Sequence, residues 1–123
     1  TKPALEEPVH LPFSKKSTDN WIYVDDCAEQ LVRLALKDKL NFSSYNTGSQ
    51  TVTGEELDKT VKKILPNAEI YFDEKNLRTP LIDDQDDSRI RKEIDFYPRS
   101  FAEGVRAVIN DARKANNLPS IKA

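Results

Sequence analysis

The chain has 123 residues, the size of one small domain with a single core, and 19 Lys and Arg against 21 Asp and Glu leave a net charge of −2. That balance excludes the basic face of a nucleic-acid binder, and no apolar run is long enough to span a bilayer. One cysteine, Cys27, excludes an internal disulfide, and one histidine, His10, excludes a zinc site built on several histidines.

Without a signal peptide at its start, the sequence predicts a cytoplasmic protein with neither nucleic acid nor membrane as partner. It holds no methionine and begins at Thr1, so the expectation is a piece of something longer. Residues 1–19 carry Pro3, Pro8 and Pro12 with no sustained period and are predicted to be an irregular connecting segment. The body of the domain is expected over 20–115, with 116–123 as a loose tail.

Within the body, "WIYV" (Trp21 to Val24) predicts a short strand. Asp26 as N-cap and Glu29 three residues on then predict a helix start of the capping-box kind. Cys27 or Ala28, Leu31, Val32, Leu34 and Ala35 give that helix a broad apolar face, expected to be well buried. "SSYNTG" predicts a strand ending in a turn at Gly48. Thr53 and Glu56 repeat the capping box, Leu57, Val61, Ile64 and Leu65 form an amphipathic stripe, and Pro66 stops the helix.

Ala68, Ile70 and Phe72 then alternate with Glu69, Tyr71 and Asp73, the period of a strand. "NLRTPLIDDQDDSR" predicts a loop, broken by Pro80 and a run of acids. A short helix follows, with Asp86 or Asp87 as N-cap and Ile90 and Ile94 inward. The last helix opens on a third capping box, Ser100 with Glu103, and buries Phe101, Val105, Val108, Ile109 and Ala112. Gly104 inside it costs up to about 1 kcal/mol against alanine, which points to a close packing contact there.

Three strings invite chemistry. "YFDEK" spells Tyr71-x-x-x-Lys75, the spacing of the Tyr/Lys pair of short-chain dehydrogenases, in which the lysine lowers the tyrosine pKa. That pairing needs a helix, where residues four apart share a face. On the strand expected here the two lie roughly 13 Å apart, so they are not read as catalytic. "DDQDD" (Asp83 to Asp87) suits a divalent cation by composition, but lacks the glycine and terminal glutamate of a calcium loop and reads instead as helix N-terminal charge. Gly48, Gly54 and Gly104 stand too far apart to make a dinucleotide-binding loop. The chain by itself is therefore expected to hold no catalytic residue, no cofactor and no metal.

Taken in order, "NWIYVDDCAEQLVRLAL", "YNTGSQTVTGEEL" and "DDSRIRKEIDFYPRSFAEGV" closely resemble the C-terminal portion of NAD-dependent epimerase/dehydratases, the extended short-chain dehydrogenase/reductase family. The resemblance runs from about Asn20 to Arg113. It implies a small mixed α/β domain of two to three short strands and about four helices, the C-terminal substrate-binding part of an extended Rossmann-type enzyme. It further implies that an N-terminal Rossmann domain, carrying the glycine fingerprint and the helical Tyr-x-x-x-Lys, is the partner, with NAD or NADP bound in the intact parent and the fragment alone inactive. By the same resemblance a small-molecule substrate faces the segment before the Trp21 strand and the loop around Arg78, which makes Asn20, Trp21 and Arg78 the candidate substrate-binding residues. Nucleotide-sugar members carry a diphosphate-binding arginine in each region. Here Asp19 or Asn20 stands at the first place and Arg78 is the candidate for the second. Asp95 stands where the family has a glycine before Phe96. The "YNTG" strand would extend the parent's sheet, and in the fragment its open edge would pair with another copy as a homodimer. The alternative is a free-standing, non-catalytic interaction module of the same fold.

Overall fold

The computed structural model describes residues 1–76 and 85–122. After a 3-10 turn at Lys2–Leu5 come strands β1 (Val9–Leu11) and β2 (Thr18–Trp21), helix α1 (Val24–Ala35) and strand β3 (Gln50–Thr53). Helix α2 (Gly54–Ile64), strand β4 (Ile70–Phe72) and helices α3 (Ser88–Ile94) and α4 (Phe101–Ala115) complete the order.

The strands form two separate pairs. β2 and β3 are antiparallel, with Asn20 opposite Thr51 and Trp21 opposite Gln50. β1 and β4 are parallel, with His10 opposite Tyr71. Residues 1–19, expected to be irregular, thus hold the turn, β1 and the first half of β2. The prolines do not break these elements: Pro3 sits in the first turn of the 3-10 helix, Pro8 precedes Val9, and Pro12 follows Leu11. The partner of β1 lies about sixty residues downstream, and a three-residue strand held by so distant a neighbour leaves no local period to read.

Where local chemistry decides a boundary, the expectations hold. Thr53 accepts from the Glu56 N–H and Glu56 reaches back to the Thr53 N–H, and Ser100 and Glu103 do the same for α4. Val61 of α2 is buried, as are Ile90 and Ile94 of α3, which with Ala4, Val52, Ile70 and Ile109 are the buried apolar residues among those described. Tyr71 sits on β4 and is 50 % exposed, stacked on His10 at 4.8 Å.

The first helix differs. The strand before it ends at Trp21, Tyr23 is the N-cap without a side-chain cap, and α1 begins at Val24. Asp26 is therefore in the first turn and turned inward, so the expected capping box with Glu29 does not form. The face expected to be buried is outside: Leu31 is 58 % and Val32 52 % exposed, while Asp26 and Gln30 are the buried residues of the helix.

Two further expectations change. Residues 44–49 form no strand; Gly48 is instead clasped by the Gln30 side chain, which accepts from its N–H at 2.6 Å and donates to its carbonyl at 3.2 Å. A strand needs a neighbour, and none of the described residues supplies one. The tail beyond α4 is not loose: Ile121 exchanges backbone hydrogen bonds with the Asn110 carboxamide, Arg113 donates to the Pro119 carbonyl at 2.6 Å, and Arg106 donates to that of Lys122. Arg113, buried, also donates to the Ala4 carbonyl, so it ties both ends of the chain to α4. At Gly104 a β-carbon would meet Tyr23 Cβ at 3.5 Å, an ordinary packing contact. No helix among the described residues is long and apolar enough to cross a membrane.

Candidate functional site

Asn20 and Trp21 are adjacent on β2, so strand geometry sends their side chains to opposite faces of the ribbon. Asn20 faces its cross-strand neighbour and accepts a hydrogen bond from the Thr51 hydroxyl at 2.9 Å. Its buried amide nitrogen has no partner. A buried donor left unpaired costs roughly 1 to 3 kcal/mol, and among the described residues none offers this nitrogen an acceptor. Trp21 tilts against Phe101, ring centroids 6.3 Å apart, and forms one end of an apolar cleft of about 260 Å³. Val9 and Leu11 of β1, Ile70 of β4, Leu57 and Val61 of α2, and Val105, Val108 and Ile109 of α4 line it. Its polar residues are few, chiefly Gln50, Arg99 and Ser100 beside Trp21 and Tyr23. Structure thus brings Trp21 to a cleft and turns Asn20 away from it. The third candidate, Arg78, lies outside the described residues.

At the Tyr23 end stands a polar constellation. Asp26, 4 % exposed, accepts from the Arg99 backbone N–H at 3.0 Å and from its Nε at 3.1 Å to each carboxylate oxygen. The guanidinium lies over the Tyr23 ring, 4.4 Å from its centroid, and the Tyr23 hydroxyl donates to Asp111. This arrangement fixes the turn that leads into Ser100 and hence the entry of α4. The sequence reading missed it, having spent Asp26 on a cap, and the helical period gave no signal, since it sets Asp26 opposite the apolar stripe.

Tyr23 is a poor acid/base group. The hydrogen bond to Asp111, then burial, then the charges of Asp111 and Asp25 push its pKa up to about 12. A catalytic tyrosine needs the opposite shift, toward the working pH. Tyr71, with Lys75 beyond the end of its strand, has no helix to unite the pair.

The described acids before α3 act on the helix, as expected. Asp86 accepts from the Ser88 hydroxyl and N–H, which hold its carboxyl below the usual range. Asp87, the N-cap by position, pairs with Arg91 at 2.7 Å and is lowered chiefly by that hydrogen bond. Asp83 and Asp84 of the same string lie outside the described residues. Among the described residues no group of three His, Cys, Asp or Glu side chains could hold a metal ion.

No protein-family model matches the sequence, and no curated protein does. Solved structures do match. A UDP-glucose 4-epimerase from Thermotoga maritima, with UDP-glucose, superposes with a TM-score of 0.72 at 20% identity, over 94% of this chain and 38% of that one. A UDP-glucuronic acid 4-epimerase from Bacillus cereus, in complex with UDP-glucuronic acid and NAD, gives 0.70 at 20% identity over 93% and 38%. A GalE-like L-threonine dehydrogenase from Cupriavidus necator gives 0.70 at 18% identity over 86% and 41%. The chain spans about two fifths of the length of each. It has the mixed α/β fold of a part of these longer, Rossmann-type enzymes.

Proposed function

We propose that this chain is the C-terminal substrate-binding region of an NAD(P)-dependent epimerase, dehydratase or reductase. NAD or NADP and the acid/base tyrosine belong, on this reading, to a Rossmann domain elsewhere in the longer protein. The observation that supports it most is one of extent: 94% of this chain superposes on 38% of an epimerase. The chemistry of the residues agrees. The three glycines cannot cradle a pyrophosphate, and Tyr23 is shifted away from the range of a general base.

In the intact enzyme hydride would pass between the nicotinamide and a substrate alcohol or carbonyl, chemistry the cofactor supplies. This region contributes binding. Trp21 is the apolar wall and Arg78 the cation, while Asn20, turned away from the cleft, contributes to the strand pairing behind it.

The test is to express the longer protein and follow NADH and NADPH binding and turnover. Binding of either, with residues 1–123 alone silent, is the expected result. A Trp21→Ala change should then raise KM about tenfold with kcat little altered, the loss of an apolar contact with substrate. A longer protein that binds no nicotinamide cofactor would remove the enzyme reading and leave an interaction module.

A further inference from the structure

The Trp21 cleft suits a ligand without charge. Its walls are aliphatic, with Leu11 of β1, Ile70 of β4, Leu57 of α2 and Val105 of α4, and the Trp21 and Phe101 rings close one end. Against such walls the hydroxyls of a sugar or the charges of a phosphate would lose their hydration and gain no partner. Arg99 is the one cationic side chain among the described lining residues, and its charge is taken. Its Nε lies 3.1 Å from both oxygens of the buried Asp26 carboxylate, and its guanidinium covers the Tyr23 ring. Strand β2 adds no cation, being Thr18, Asp19, Asn20 and Trp21.

One acceptor stands at the aromatic end. Gln50 lies opposite Trp21 across the β2–β3 pair, so the two side chains leave the ribbon on the same face. Its Nε2 donates to the Arg99 carbonyl at 2.8 Å, which orients the carboxamide and leaves Oε1 to accept. The Ser100 hydroxyl, by contrast, is engaged with Glu103 as both donor and acceptor. Volume sets the size of the guest. An apolar cavity of about 150 Å³ holds one benzene, and at that ratio the 260 Å³ of this cleft takes about ten carbon atoms. A nucleotide sugar is several times larger.

We propose that the cleft binds a small uncharged alcohol with an aromatic or branched aliphatic body of about ten carbons, its hydroxyl donating to Gln50 Oε1 and its body against Trp21 and Phe101. This deepens the proposed function and rests on it. The substrate class is an apolar alcohol, with its ketone as the oxidised form, in place of the UDP-sugars held by the similar epimerases.

Trp21, the single tryptophan of the chain, is the reporter. Titrating 4-phenyl-2-butanol into residues 1–123 should shift its fluorescence to saturation, and UDP-glucose should leave it unchanged. Calorimetry should give the same preference in the longer protein. Val105→Phe, which fills the cleft, should weaken the alcohol at least about tenfold without lowering the thermal melt. Should that variant not fold, Gln50→Leu carries the test. It should erase the preference for the alcohol over butylbenzene, about fivefold in the native chain, the contribution of one hydrogen bond. No response to the alcohol, a preference untouched by Gln50→Leu, or equal binding of UDP-glucose would overturn the proposal. So would binding in residues 1–123 that disappears in the longer protein, because another part of that protein would then fill the cleft. Nicotinamide binding by the longer protein without alcohol binding overturns the ligand and keeps the enzyme reading. Alcohol binding by both proteins without nicotinamide binding keeps the ligand and discards the enzyme reading.

Discussion

At Gly54 a β-carbon would stand 2.9 Å from Lys15 Cα and 3.0 Å from the Ser14 carbonyl oxygen, backbone atoms that cannot swing aside. The Gly54 N–H donates to the Ser17 carbonyl, so the helix start and the loop before β2 meet at this residue. Gly54→Ala should cost about 1 to 3 kcal/mol, measured by denaturant unfolding. Tyr23 makes a different kind of prediction. Its hydroxyl bonds to Asp111 only while protonated, and its folded pKa, about 12, lies above the ordinary value near 10. A raised folded pKa means that the contribution is full below the unfolded value and is lost as pH rises, here through the window from 10 to 12. Melts of the native chain and of Tyr23→Phe should therefore differ near neutrality and converge at the alkaline end of that window. A constant difference throughout would mean that the hydroxyl contributes nothing through its proton.

Single elements show how a sequence signal succeeds or fails. The two capping boxes were legible because the cap, the helix and the satisfied N–H groups lie within four residues. The same grammar misled at Asp26, whose spacing to Glu29 also fits a capping box; Arg99, seventy-three positions away, claims the carboxylate instead. Helix α3 offers a cleaner case. Its C-cap, Asp95, has φ 47° and ψ 50°, the left-handed conformation that a glycine adopts without strain. The glycine that the family resemblance would place there thus has a conformational reason, and Asp95→Gly should stabilise the chain by about 0.5 to 1 kcal/mol, read from thermal or denaturant melts. A loss of stability would show that the Asp95 side chain contributes more than its backbone costs.

The whole chain is closed by contacts between its ends. β1 pairs with β4, the turn at Lys2–Leu5 lies against α4, and Arg113 bonds to carbonyls at Ala4 and Pro119. Deleting residues 1–11 should strip β4 of its only described partner, leave Arg113 half satisfied and broaden the thermal transition seen by circular dichroism. A mutant that melts as sharply as the intact chain would show the closure to be dispensable. Among the described residues few apolar side chains are buried, so the loss of a single tie should be visible in the melt.

The sequence by itself determined the elements whose causes are local: α2, α4 and β4, the stop at Pro66, and the absence of a dinucleotide loop or a helical Tyr/Lys pair. It also carried the resemblance to part of an epimerase-type enzyme, because the order of short motifs survives in the linear string. Tertiary structure decided what depends on distant partners. It placed β1 by its pairing with β4, turned Asp26 and Gln30 inward toward Arg99 and Gly48, bound the tail to α4, and left the apolar stripe of α1 facing out. Periodicity shows that a helix has two faces; only the neighbours present in three dimensions determine which one is covered, and for α1 the covered one carries Asp26 and Gln30.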